Sequence, residues 1–325
     1  MLLNLVAVLG GLALLMWGAD RFVLGAAASA RNWGVSPLII GLTIVGFGTS
    51  APEMVVSAVA AWQGNTGLAI GNAVGSNIAN IGLIIGVTAL IVPLHVHSGI
   101  LKRELPVLLA VMTLSLLLLL NGTLGRLDGI ILLSVLAVLI LWVTRLGINN
   151  RAADPMVSEY AEEIRSDLST RNALLWVVIG LGVLLASSRL VVWGAVGIAQ
   201  TFGVSDLIIG LTIVALGTSL PELAASVASA RKGEHDIAIG NVIGSNMFNL
   251  LAVLGLPGVI RPGPVDPAVL TRDFPVMFGL TIGLFLMAYR IRTPGRINRL
   301  EGAILVVSYL GYQLLLYCSA RGCGP

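Results

Sequence analysis

The chain has 325 residues, of which 57% are hydrophobic and only 11% charged; the mean hydropathy is +0.96 and 39 residues are glycine. A soluble domain carries about twice that share of charge, so the composition excludes a water-soluble globular protein and points to a polytopic membrane protein. The formal charge of +3 calls for no nucleic-acid partner, because Lys and Arg are distributed as a membrane-topology bias.

Apolar runs of about 20 residues are expected to cross the bilayer at 2–19, 37–62, 68–92, 105–121, 127–147, 172–192, 206–230, 237–260, 273–290 and 300–317. The first has no positively charged leader and no small-residue cleavage site followed by a soluble domain, so it is expected to be a retained helix. Interior Gly and Pro concentrate in the second, third, seventh and eighth runs, where broken or closely packed helices are expected. Of the 19 Lys and Arg, 14 fall in alternate loops, among them Arg21, Arg31, Lys102, Arg103, Arg231, Lys232 and Arg299. The positive-inside rule then places both termini outside and the central loop in the cytoplasm of an inner or plasma membrane.

Two stretches are nearly the same. Gly48-Thr49-Ser50-Ala51-Pro52-Glu53 recurs as Gly217-Thr218-Ser219-Leu220-Pro221-Glu222, each followed by a Gly-Ser-Asn-x-x-Asn block. The copies align without a gap from Gly34 to Pro106 and from Gly203 to Pro275, at a constant offset of 169 residues, with roughly half the positions identical. Five runs per copy is an odd number, so the second copy enters the membrane from the opposite side. The expected architecture is an all-α membrane protein of ten transmembrane helices in two inverted five-helix repeats. The halves are 1–147 and 172–325, with repeated cores near 37–92 and 206–261 and a cytoplasmic linker over 148–171. Glu53 and Glu222 are then expected to face one another near the bilayer midplane.

Each motif carries cation-binding chemistry. Pro52 has no N–H, so the Gly48 carbonyl loses its helical partner, and Pro221 does the same to Gly217. Thr49 precedes Glu53 by one helical turn and Thr218 precedes Glu222 likewise, so hydroxyl and carboxylate share a face; Ser50 and Ser219 lie beside them. Asn72, Ser76 and Asn80 form an oxygen-bearing stripe, repeated as Asn241, Ser245 and Asn249. An all-oxygen set suits Na⁺, Ca²⁺ or Mg²⁺, whereas Zn²⁺ or copper calls for Cys and His. Two carboxylates balance one Ca²⁺ or two monovalent ions. Desolvation and like-charge repulsion disfavour the doubly ionised pair, so a proton can also compete.

A structural role is the alternative at each position. A single Ser or Thr on a membrane helix often only bonds a neighbouring helix, and the Gly71/Gly75 and Gly240/Gly244 pairs are expected to serve close packing. The Glu pair resists that explanation, because an ionisable group at membrane depth is costly and marks an ion or proton path.

The paired Gly-Thr-Ser-x-Pro-Glu and Gly-Asn-x-x-Gly-Ser-Asn-x-x-Asn blocks resemble the two α-repeats of the calcium/cation antiporter superfamily, the sodium/calcium exchangers, in its compact bacterial branch. The resemblance covers essentially the whole chain. It implies an exchanger of Ca²⁺ and Na⁺ with no cofactor and no obligate protein partner, its ion site built from the second, third, seventh and eighth helices. The ligands implied by position are Thr49, Ser50, Glu53, Ser76 and Asn80, then Thr218, Ser219, Glu222, Ser245 and Asn249, with backbone carbonyls of Gly46 and Ala215. It also implies that the first and sixth helices slide across a four-helix core. Family members commonly carry Asp at the position of Asn249; here Asn stands at both 80 and 249, leaving two carboxylates and leaving open coupling by H⁺ or a requirement for K⁺.

An intramembrane protease is the rival from another class. No His-Glu-x-x-His motif is present and no membrane-buried His is available to activate Ser50 or Ser219. A channel is disfavoured because an inverted repeat around a carboxylate pair suits alternating access. Asp20, Arg21 and Arg189 are expected to anchor helix ends at the interface, with gating as the alternative. The run Glu159, Glu162, Glu163 and Asp167 is expected to be a solvated linker. His95, His97 and His235 are expected to lie solvated in loops, and Cys318 and Cys323 are placed to pair without holding the fold.

Overall fold

A backbone donor or acceptor facing hydrocarbon has no water to bond, so a chain of this composition satisfies its backbone within helices. The computed structural model describes residues 1–33, 46–96, 99–149, 168–288 and 295–320. Its helices are α1 (Leu2–Asn32), α2 (Gly46–Thr49 and Ala51–Gln63), α3 (Thr66–Ile91), α4 (Gly99–Leu119) and α5 (Arg126–Asn149). These are followed by α6 (Thr170–Phe202), α7 (Asp206–Thr218 and Leu220–Lys232), α8 (His235–Ile260), α9 (Val269–Ala288) and α10 (Arg299–Ala320). Six of them, α1, α3, α6, α8, α9 and α10, are long and apolar enough to cross a membrane; the two pieces of α7, bent by 41°, make a seventh if counted as one span. Among the described residues, length and composition thus account for six or seven of the ten expected spans. The second expected span begins outside the described residues, and the apolar part of α4, Glu104–Leu119, is short. The acidic run 159–167, His97 and Cys323 also lie outside the described residues.

The sequence repeat is matched by repeated local structure. Gly64 (φ 92°) and Gly233 (φ 87°) end α2 and α7 in the left-handed region that favours glycine. Both breaks fall on a serine of nearly the same conformation, Ser50 (φ −87°, ψ 1°) and Ser219 (φ −86°, ψ 4°). Wide π-helical turns follow at Asn80–Ile85 and Asn249–Val253, a feature frequent at functional sites. Two short antiparallel ribbons join distant connections: β1 (Leu94–Val96) pairs with β4 (Gly295–Ile297), and β2 (Thr123–Leu124) with β3 (Gly263–Pro264).

Packing separates a core from its flank. The apolar windows of α3 and α8 are 78% and 83% buried, against 39% and 33% for α1 and α6. Small residues set the close approaches. A Cβ on Gly75 would stand 2.7 Å from the Leu211 Cα and 2.8 Å from the Ala215 Cβ, and one on Gly210 would stand 2.5 Å from the Leu68 carbonyl oxygen. Because Gly71 faces Leu207 and Gly75 faces Leu211 and Ala215, α3 runs parallel to α7. Within the first copy, Ser57 faces Ala69 and Glu53 faces Asn72, so α2 runs antiparallel to α3. The expected packing role holds for Gly71 and Gly75. No described atom lies within 4 Å of a Cβ on Gly244; the matching part of α2 lies outside the described residues, so the expectation there is not tested.

Helices α1 and α6 run antiparallel: Gly11 faces Ser187 and Val191, Gly18 faces Val183 and Leu184, and Gly25 faces Ala173 and Val177. The Arg21 guanidinium lies over both Trp17 and Trp176, 5.9 and 5.1 Å from their ring centres, tying the pair together by cation–π contact. His95 and His235 are not separately solvated. β1 carries one and α8 begins with the other, and their half-buried rings meet edge to face at 5.4 Å.

Asp273 is fully buried where α9 begins. It accepts from Arg272 Nε (2.6 Å) and Nη2 (3.1 Å) and from the Tyr312 hydroxyl of α10 (2.9 Å). Arg272→Met strands that carboxylate and is expected to cost about 3–5 kcal/mol, read as lost thermal stability in detergent. Gly75→Val forces α3 away from α7 and is expected to cost about 1–3 kcal/mol; Gly279→Val, where nothing lies within 4 Å, should unfold at the wild-type temperature.

Candidate cation site

Helices α2 and α7 each break within one turn of a glutamate. Pro52 and Pro221 open the second pieces, Ala51–Gln63 and Leu220–Lys232, where a missing N–H costs a helix nothing. Glu53 and Glu222 sit in the first turn of those pieces, at the positive end of the helix dipole. Both are buried, 1% and 0% exposed.

The two copies interlock through hydroxyls and amides. Thr218 Oγ1 donates to Asn72 Oδ1 (3.2 Å), and the repeat-related Thr49 Oγ1 donates to Asn241 Oδ1 (3.3 Å). Ser219 of the second copy donates to Glu53 Oε1 of the first at 3.4 Å. Ser245 donates to Glu222 Oε1 at 3.4 Å and lies 3.3 Å from Thr49 Oγ1. Asn72 fixes the turn from behind, its Nδ2 donating to the Glu53 carbonyl (3.1 Å) and to Ser57 Oγ (2.9 Å).

Further oxygens are buried without a hydrogen-bond partner among the described residues: Ser50 Oγ, Glu53 Oε2, Ser76 Oγ, Asn80 Oδ1, Glu222 Oε2 and Asn249 Oδ1. Buried polar atoms are nearly always satisfied, so this group of oxygens on four packed helices is open to a ligand. A desolvated cation supplies one: Ca²⁺ takes six to eight oxygens from carboxylates, hydroxyls and amides. No group of three or more His, Cys, Asp and Glu able to hold a metal occurs among the described residues; the set has two carboxylates and otherwise neutral oxygens.

Of the residues expected from sequence, Thr49, Glu53, Thr218, Ser219, Glu222 and Ser245 are joined by the bonds above. Ser50 stands at the break in α2; Ser76 and Asn80 follow Asn72 by one and two turns on α3, and Asn249 occupies the matching place on α8. All four are buried. The Ala215 carbonyl accepts from the Ser219 N–H (3.1 Å) and the Thr218 hydroxyl (3.4 Å), and Gly46 begins the described part of α2. Two participants were not singled out from sequence. Asn246 Oδ1 accepts from Asn80 Nδ2 at 3.0 Å, and Asn77 is buried with its Oδ1 unpartnered. Their signal was the first Asn of each Gly-Ser-Asn-x-x-Asn block; that of the second copy reaches Asn80 of the first, and that of the first donates to Ala73 of its own helix.

Bonded and unbonded groups should respond differently to substitution. Asn72→Ala removes three hydrogen bonds and is expected to destabilise the ion-free protein by about 1–3 kcal/mol. Ser76→Ala removes a hydroxyl with no partner among the described residues and should leave ion-free stability unchanged while lowering the stabilisation gained from Ca²⁺. Thermal unfolding in chelator and across a Ca²⁺ titration checks both; a tenfold weaker affinity removes about 1.4 kcal/mol of that gain at saturating ion.

Comparison with known proteins identifies the family. The family model described as "Sodium/calcium exchanger protein" matches residues 3–145 and 172–318. The putative antiporter CaxA of Alkalimonas amylolytica is 51% identical over 319 residues, 98% of this chain and 100% of that one. The sodium/calcium exchanger MaX1 of Methanosarcina acetivorans is 33% identical, covering 97% and 98%. A solved structure of the sodium-calcium exchanger NCX_Mj, 33% identical, superimposes with a TM-score of 0.65 over 95% of this chain and 97% of that one. The chain is thus a helical, multi-pass membrane protein and belongs to the sodium/calcium exchanger family, within the calcium/cation antiporter superfamily.

Proposed function

We propose that this protein is a secondary active antiporter that exchanges Na⁺ for Ca²⁺ by alternating access, with Glu53 and Glu222 as the charge for which both ions compete. The observation that carries this function is the set of orphaned buried oxygens that both copies of the repeat contribute, one oxygen of each buried glutamate among them. Of the relatives, MaX1 and NCX_Mj are named as sodium/calcium exchangers, which supports Na⁺ as the coupling ion. No cofactor or obligate protein partner enters the cycle, and the bilayer is the medium. The ten residues Thr49, Ser50, Glu53, Ser76, Asn80, Thr218, Ser219, Glu222, Ser245 and Asn249 supply side-chain oxygens; the carbonyls of Gly46 and Ala215 complete the set.

The cycle follows from charge. Two ionised carboxylates at membrane depth are too costly to carry across empty, whereas one Ca²⁺ or two monovalent ions neutralise them. Only loaded forms therefore change access, and transport of one ion is tied to that of the other. Ten helices in two inverted halves are part of the proposal. Because α7 is the sequence copy of α2, the parallel course of α3 and α7, against the antiparallel course of α2 and α3, supports the inversion. Both termini are placed outside and the central loop in the cytoplasm by the loop charges. The α1–α6 pair, less buried and tied to itself by facing glycines, is the element proposed to slide.

A proton-coupled antiporter of Ca²⁺ or another divalent cation is the second possibility. It is favoured by Asn at both 80 and 249, which leaves two carboxylates able to take up two protons. Uptake of ⁴⁵Ca²⁺ into proteoliposomes loaded with Na⁺, Li⁺ or K⁺, or holding a pH gradient, separates the two. Uptake that requires an outward Na⁺ gradient supports sodium/calcium exchange, and uptake that follows only the pH gradient supports the proton-coupled form. Glu53→Gln and Glu222→Gln are expected to reduce uptake to the protein-free background while leaving a folded, monodisperse protein; wild-type rates in both would sink the site. In either form, acidification should raise the Ca²⁺ concentration needed for half-maximal uptake, because protons compete for the same oxygens.

A further inference from the structure

Outside the cation site, one place combines an unpaired charge with a shaped cavity. A cavity of about 460 Å³ opens on the flank of the molecule between α2 and the α1–α6 pair. Its walls are apolar, with Phe22 of α1, Met54 and Val55 of α2 and Leu184 of α6 among them. Leu181 and Leu185 on α6 are 42% and 43% exposed, so the cavity is open sideways, where a membrane protein meets lipid. The polar side chains lining it are Arg189 and Gln63. Arg189 has no ion pair or hydrogen bond with any described residue. A cation on a membrane helix, facing an apolar groove without a protein counter-ion, marks a functional site.

The surface continues past the arginine and changes character. A second cavity, of about 580 Å³, shares Gln63 with the first and is lined by Asn65 at the α2–α3 turn, Asn4 of α1, and Gln200 and Thr201 of α6. Along one face of α6 the order is therefore Leu181 and Leu185, then Arg189, then Gln200. Apolar groove, single positive charge and neutral hydrogen-bonding pocket follow one another as acyl chain, phosphate and hydroxylated headgroup do in a phospholipid. Neither cavity is lined by a carboxylate, so the ammonium of a zwitterionic lipid would find no partner there.

The geometry points to a site for one anionic phospholipid of the bilayer: an acyl chain in the groove between α6 and α2, its phosphate on Arg189, and its headgroup in the Gln63, Asn65 and Gln200 pocket. The chain would lie against Ala51 and Met54, which flank Glu53, and between the α1–α6 pair and the core. The site does not depend on which cations are exchanged, and its occupancy is measured without transport.

Native mass spectrometry of the full chain in detergent, titrated with phosphatidylglycerol, phosphatidylcholine or phosphatidylethanolamine, tests this. One phosphatidylglycerol is expected to stay bound with about fivefold preference over the zwitterionic lipids, the contribution of one basic residue near an anionic headgroup. Arg189→Gln should abolish the preference while chain binding remains, and Ala58→Trp, which fills the groove, should remove the bound lipid whatever its headgroup. Equal retention of all three lipids by the wild type, an undiminished preference in Arg189→Gln, or an unchanged lipid count in Ala58→Trp would each overturn the site. Should Arg189→Gln not fold, the wild-type preference and the Ala58→Trp count decide by the same criteria.

Discussion

Two carboxylates buried in a low-dielectric interior are the constraint around which the rest of this structure is arranged. Removing an ion from water costs several kcal/mol even after relaxation, so every element near Glu53 and Glu222 offsets part of that cost. Breaking α2 and α7 places each glutamate at the start of a helix, where the dipole favours negative charge. Ser219 and Ser245 each donate to one carboxylate oxygen and leave the other unbonded. The compensation is partial, and the part left over is what a cation can supply.

Support for those groups comes from a rigid inner layer. α3 and α8 are the most buried of the long helices, and their polar faces are held by bonds that do not use the orphaned oxygens. Asn72 braces the α2 turn through the Glu53 carbonyl and Ser57, and Thr218 reaches back to Asn72. The glycines of α3 let the α7 backbone come close enough for such short side chains to meet. At this separation a larger residue would break the hydrogen bonds as well as the packing.

The α1–α6 pair stands in a different relation to the site. Both motif glycines, Gly48 and Gly217, abut α1, through Val23 and Leu12 respectively, so one helix lies against both breaks. The contacts are apolar, with no hydrogen bond to fix a register between α1 and the breaks among those described. Where the pair draws away from α2, it leaves the groove that ends at Arg189.

From the sequence came the membrane class, the duplication and the two helix breaks, while the ten side chains of the candidate site were implied by the family resemblance of its motifs. The first three rest on patterns along one dimension: hydropathy over about 20 residues, a 169-residue offset, or a proline at fixed distance from a carbonyl and a carboxylate. Tertiary structure decided which groups meet across that offset. Ser219 bonds the glutamate of the other copy while Ser245 bonds that of its own; Asn246 pairs with Asn80; His95 and His235, expected in water, meet edge to face; and Arg189, expected as an interfacial anchor, lines a groove. These pairings join residues far apart in the chain, and their geometry is set by how closely helices approach and rotate. Local spacing carries no record of that, because the same serine or arginine on the same helical face can meet lipid, water or a carboxylate depending on what packs against it.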